Sequence, residues 1–128
     1  MEESILISIK KMLPMDWQST AFDEPIMAEI NSAFLSLNQL GIGPDQGFIV
    51  KSDKTTWDQF IATSNSFEGV GRVKKTAYLE AVKSYVHLNV KLVFDPPTNG
   101  SVLESINKQI QRLEWRLNTQ VEILNKEV

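Results

Sequence analysis

The sequence has no cysteine, so disulfide staples, thiolate metal sites and a cysteine nucleophile are excluded by inventory. His87 is its single histidine, which rules out a multi-histidine metal cluster and leaves only one candidate base for a serine-type hydrolase. No run approaches the roughly 18 consecutive apolar residues of a membrane span. The start, Met1-Glu2-Glu3-Ser4, is acidic and the apolar stretch after it is broken by Lys10 and Lys11, so neither secretion nor membrane insertion is expected. A phosphate-cradling loop is missing too. Its nearest approach, Gly41-Ile42-Gly43-Pro44, lacks a later glycine and a following helix, and reads as a helix stop plus a turn. There is no repeat at a solenoid period and no low-complexity segment.

What is present suits an ordinary folded protein. Apolar residues make up 42% and charged residues 23%, which places the chain far from disordered composition. A length of 128 residues predicts one domain over 1–128 that buries roughly two thirds of its unfolded surface. The net charge of -3 is unevenly spread. Residues 1–70 hold four Lys or Arg against ten Asp or Glu, whereas residues 71–128 hold nine against six. The halves are thus complementary, by internal pairing or by head-to-tail contact between copies.

Periodicity predicts a mainly α fold, a small helical bundle of about five helices. The first helix starts at Ser4 as N-cap, places Ile5, Ile9 and Met12 on one side, and stops at Pro14. Met15 to Phe22 reads as a connection, with Trp17 as a candidate plug. A second helix takes Asp23 as N-cap and Pro25 in its first turn, repeats Ile26, Ile30, Ala33, Phe34, Leu37 and Leu40, and ends at Gly41. Phe22 and Met27 occupy hydrophobic-staple positions around its start. A short extended or hairpin arm is expected near residues 42–54, around Phe48-Ile49-Val50. Thr55 or Thr56 caps a short third helix holding Trp57, Phe60 and Ile61, and Asn65 to Gly71 forms a polar break.

The fourth helix, from about Val73 to Phe94, carries Tyr78, Ala81, Val82, Tyr85, Leu88 and Leu92 on one side. Val86, Val90 and Val93 widen that surface, so this helix is expected to be the spine, contacted on several sides. Asp95-Pro96-Pro97-Thr98-Asn99-Gly100 forces a reversal. The last helix, about 101–124, is expected to start with a Ser101 and Glu104 capping box and to pack along Leu103, Ile106, Ile110, Leu113, Leu117 and Leu124. Gln120 interrupts that seam, so the end beyond Asn118 reads as frayed or waiting for a partner.

No catalytic, cofactor-binding or metal-ligating set is legible in the sequence. His87 shares a helix side with Lys83 and Lys91 and is expected on the solvated surface. Asp23 and Glu24 are explained by helix capping and the helix dipole. Arg72, Lys74 and Lys75 form a basic cluster, and Lys108, Arg112 and Arg116 form a stripe. Gln111 and Glu114 flank that stripe, the chain is acidic and no helix-turn-helix spacing is present, so a solvated or inter-subunit face is the better reading. Trp115 lies off the Leu113 and Leu117 seam. Either it anchors an interface, or a neighbouring helix or the Phe48 loop covers it.

Several blocks resemble phage head-to-tail connector (head completion or adaptor) proteins. They are Ile5 with Ile9-Lys10-Lys11-Met12-Leu13, then Ala21-Phe22-Asp23, Ile30-Asn31-Ser32-Ala33-Phe34 and Leu37-Asn38-Gln39-Leu40-Gly41-Ile42-Gly43-Pro44. In the second half, Val82-Lys83, Tyr85-Val86, Val90-Lys91-Leu92-Val93-Phe94-Asp95-Pro96-Pro97 and Leu113-Glu114-Trp115-Arg116-Leu117-Asn118 are similar to a version common in phages and prophages of Gram-positive bacteria. The stretch Ser64 to Lys75 departs by being longer and more basic.

The resemblance implies a structural virion protein rather than an enzyme. Identical subunits would form a ring, a dodecamer by likeness, between the portal protein and a tail-side completion or stopper protein. DNA would pass through only as cargo, and assembly would occur in the host cytoplasm. Candidate interface residues by this likeness are Phe48 and Ile49 in the arm, Phe94, Asp95, Pro96 and Pro97 at the reversal, and Trp115, Arg116 and Asn118 on the last helix; Arg112 joins them from the basic stripe. The alternatives are an adaptor dimerising through its C-terminal helix and a small DNA-binding regulator.

Overall fold

The computed structural model describes residues 3–64 and 72–126, with side chains described throughout these except at 72–75 and 120–126. Five helices follow in order: α1 (Ile5–Met12), α2 (Asp23–Gln39), α3 (Trp57–Thr63), α4 (Arg72–Phe94) and α5 (Gly100–Lys126). No strand forms among the described residues, and the mainly α expectation holds. Asn65 to Gly71 lie outside the described residues, as do the side chains of Arg72, Lys74, Lys75 and Leu124.

The spine is α4, which packs against α1, α2 and α5. Val82, Tyr85, Val86 and Val90 are buried on it, and two of these lie beyond the single predicted stripe, as contact on several sides requires. Ile26 of α2 shares a depression with Phe94, and Ser36 of α2 lies beside the Tyr85 hydroxyl, so α2 runs antiparallel to α4. The Asp95–Asn99 reversal returns α5 along the same spine, where Glu114 Oε1 accepts the Tyr85 hydroxyl at 3.2 Å. One continuous apolar cluster joins Ile5, Leu6 and Ile9 of α1 to Ile30, Phe34 and Leu37 of α2, to α4 and to Ile106, Ile110 and Leu117 of α5.

Helix ends explain much of the wiring. At the end of α2, Gly41 adopts φ 85°, open to glycine without penalty. The Gly41 amide reaches Asn38 O at 3.0 Å and the Ile42 amide reaches Leu37 O at 2.9 Å. These two bonds, with Ile42 and Leu37 both buried, make a Schellman stop. Gly43, at φ 96°, brings the loop against Phe60, where an added Cβ would lie 3.1 Å from the ring. Thr56 caps α3 in a reciprocal capping box with Gln59.

Several expectations need correction. Asp23 is the first residue of α2 rather than its cap; Phe22 holds the cap position with no side-chain bond. The reason is Lys10, whose ammonium is 2.6 Å from Asp23 Oδ1 and 2.6 Å from Ser19 O, and which is only 2% exposed. A buried cation outbids exposed helix amides for the carboxylate. Met12, expected on the core side of α1, is exposed, and Leu6, Lys10 and Leu13 occupy that side instead. Trp17 is no plug: it stays partly exposed with the Lys11 ammonium 4.5 Å from its ring centroid. Phe22 is likewise exposed, so it does not act as a staple that shields the start of α2.

The α5 cap is Asn99, whose Oδ1 accepts from the Ser101 amide at 2.8 Å, and not the Ser101 and Glu104 box. The backbone of α5 continues to Lys126, past Asn118. The expected extended piece is present without a second strand. Asn31 takes the partner's place: its Oδ1 accepts from the Val50 amide at 2.7 Å and its Nδ2 donates to Val50 O at 3.1 Å.

Candidate interaction surfaces

Trp115 follows from the periodicity of α5. Ile106, Ile110 and Leu117 turn to the core and Leu113 is half-buried, so a residue two positions from both Leu113 and Leu117 faces outward. The indole is 70% exposed, and neither a neighbouring helix nor the Phe48 loop covers it. Arg112 and Arg116 are exposed beside it and border a shallow groove of about 350 Å³. The groove floor comes from Leu88 of α4 and Leu113 of α5, with His87 and Gln109 along it. Lys108 is tied to Glu104 at 3.9 Å, but neither Arg112 nor Arg116 meets a carboxylate among the described residues.

His87 corrects its predicted place on the solvated surface. It is half-buried, the Met12 backbone carbonyl accepts from the imidazole, and Nε2 is buried without a hydrogen-bond partner among the described residues. Burial pushes its pKa below the usual histidine value, with Lys91 adding to that direction, while the Met12 bond and Asp95 oppose it. The neutral ring is therefore the form the fold accommodates.

A second surface lies where α1 ends, α2 begins and α4 ends. Leu13, Met15, Phe22, Ile26 and Phe94 line an apolar depression of about 260 Å³, bordered by Asp95. Phe22 is 57% exposed, and Met12 and Val93 are also exposed. Asp95 is engaged with Lys91 at 2.6 Å. Pro96 is exposed and Pro97 half-buried on the turn beside it.

The ten predicted interface residues are thus not brought to one surface. Phe94, Asp95, Pro96 and Pro97 sit at the depression and its turn. Arg112, Trp115 and Arg116 share the outer side of α5. The arm divides: Ile49 is exposed, whereas Phe48 packs in an aromatic cluster with its ring centroid 5.2 Å from both Phe34 and Phe60. Asn118 turns inward, donating from Nδ2 to Leu40 O at 3.3 Å and so occupying a carbonyl at the end of α2. Sequence reasoning missed the depression because it placed Phe22 in a staple and Met12 in the core. The usable signal was the 6, 10, 13 spacing, which puts Leu6, Lys10 and Leu13 on one side and turns Met12 out.

A family model described as phage connector protein matches residues 5–123. No curated protein and no solved structure matches the chain. Among the described residues, no helix is long and apolar enough to cross a membrane.

Proposed function

This chain belongs to the phage connector protein family, and from that premise we propose that it is a structural subunit of the virion neck, acting as one connector-like domain. Copies assemble into a ring between the portal protein and the tail-side completion protein, and the ring extends the channel through which DNA passes. The observation that carries this reading is the extent of the family match, which spans all five helices up to residue 123. The surface is compatible with it. An exposed tryptophan beside two guanidiniums that meet no carboxylate among the described residues is the composition of an interface anchor rather than of a solvated face. A closed ring also needs two different patches on each copy, and the α5 surface and the apolar depression are different patches.

Sedimentation over a wide concentration range, at low and moderate salt, with and without purified portal protein, tests the proposal. A large closed oligomer, alone or on the portal, is expected. A stable dimer in both conditions would replace the reading with an adaptor that pairs through α5.

A further inference from the structure

We propose that neighbouring copies join by seating Trp115 of one subunit in the apolar depression beside Phe22 of the next. The inference rests on the ring reading and names its contact. The two surfaces fit in three respects. Trp115, at 70% exposed, is the most exposed of the large apolar side chains among the described residues, and the depression of about 260 Å³ is large enough to receive an indole. Its lining is apolar, from Leu13, Met15, Phe22, Ile26 and Phe94, with Phe22 itself largely open to solvent. Burying both aromatic surfaces together removes from water what neither subunit covers alone.

Charge points the same way. Arg112 and Arg116 flank the knob without a carboxylate partner among the described residues. Asp16 stands next to Met15 in the chain and Glu24 two residues after Phe22, both exposed and in no ion pair among the described residues. The other two carboxylates nearby, Asp23 and Asp95, are already taken by Lys10 and Lys91. Lys11, the remaining exposed cation there, lies over the Trp17 ring. At the knob Arg112 and Arg116 outnumber the one carboxylate, Glu114, which accepts the Tyr85 hydroxyl, and at the socket Asp16 and Glu24 outnumber Lys11, which gives the contact a direction. Knob and socket are different surfaces, so the contact is head-to-tail and can close into a ring. A second copy is favoured over nucleic acid because an apolar socket gains nothing from phosphate.

The absence of native cysteine makes the test direct. Trp115→Cys, Phe22→Cys and the double variant are each treated with a short bismaleimide after circular dichroism has established that they remain folded, with wild-type sedimentation run in parallel. The proposal expects a ladder of covalent oligomers from the double variant, a heterodimer from the mixed single variants, and no cross-link from either single variant alone. Cross-linking of Trp115→Cys with itself would overturn it in favour of a symmetric α5 contact. A wild type that forms rings while no variant cross-links would overturn the inference and leave the ring standing. A wild type that stays monomeric or dimeric with and without portal would overturn both.

The electrostatic half has its own check. Arg112→Glu with Arg116→Glu, and Asp16→Lys with Glu24→Lys, should each fail to assemble alone and recover assembly when mixed. Rings from either charge-reversed protein alone would remove the assigned charge pairing.

Discussion

The side-chain amide of Asn31 is paired with both backbone groups of Val50, accepting from its N–H and donating to its C=O. One residue of α2 thereby does for an extended segment what a neighbouring strand does in a sheet. The arm needs no hairpin, because its backbone is already satisfied at the point where Val50 enters the core. Asn31→Leu should therefore cost about 2 kcal/mol, the scale of leaving partly buried backbone groups unpaired. Chemical denaturation measures it. A loss below about 0.5 kcal/mol, the range of neutral surface changes, would mean that water replaces the amide readily.

Lys10 and Asp23 tie α1 to the start of α2 across the connection that separates them. Lys10→Met removes the cation while leaving the carboxylate and Ser19 O behind. The expected loss is about 2–3 kcal/mol, below the usual figure for breaking a fully buried pair because the Asp23 side chain is 21% exposed. Adding Asp23→Leu to Lys10→Met should restore part of that loss, since the stranded charge goes too. A double variant no more stable than the single one would show that the Ser19 contact, rather than the ion pair, carries the effect.

His87 predicts a pH dependence with a definite sign. Its folded pKa lies below the unfolded value near 6.5, so the unfolded chain binds the extra proton first as pH falls. The stabilisation is complete above about pH 6.5 and is lost progressively as pH drops below it. Thermal melts from pH 7.5 down to 5.5 should show a steeper fall in Tm for the wild type than for His87→Gln. Parallel curves for the two proteins would mean that the ring is protonated in the fold without cost.

On α5 the buried Leu117 and the exposed Trp115 should separate folding from the proposed association. Leu117 is 1% exposed, so Leu117→Asp buries an unpaired charge and should abolish the cooperative melt. Trp115→Ala should change stability by no more than about 0.5 kcal/mol, as for most surface substitutions, while weakening assembly seen by sedimentation. Leu113 is a poorer probe of the core because it is half-buried at the groove. A large drop in Tm for Trp115→Ala would show that the indole supports its own subunit.

The helices, their order and the dominance of α4 were legible because each depends on local spacing, on prolines and on the glycine stop at Gly41. The Trp115 position was legible for the same reason: the register of α5 alone turns it away from Leu113 and Leu117. What could not be read was every feature decided by a partner distant in sequence. Lys10 looks like a solvated break in an apolar run until Asp23, thirteen residues on, is folded against it. His87 has lysines one turn away on either side, yet its exposure is set by α1, whose Met12 meets the ring. Asn99 displaced the Ser101 box because two candidate caps lay two residues apart and local pattern alone does not rank them. The apolar depression beside Phe22 is assembled from three helix ends, so no single stretch of sequence carries it.

The starts of α1 and α3 are joined to one another: the Ile5 amide donates to Thr55 O at 3.0 Å and the Trp57 amide donates to Glu3 O at 3.1 Å, around a bridge between the two capping residues Ser4 and Thr56. The indole of Trp57 completes the link by donating to Ser8 Oγ at 2.9 Å. Each helix thus depends on the other for an amide partner at its first residue. In hydrogen exchange, the Ile5 and Trp57 amides should become labile in a single opening event, although about fifty positions of chain separate them. The first helix is therefore tied into the body of the fold at its first residue. Pulling on the N-terminus would unlatch α3 and, with it, the aromatic cluster that seats the 42–54 arm.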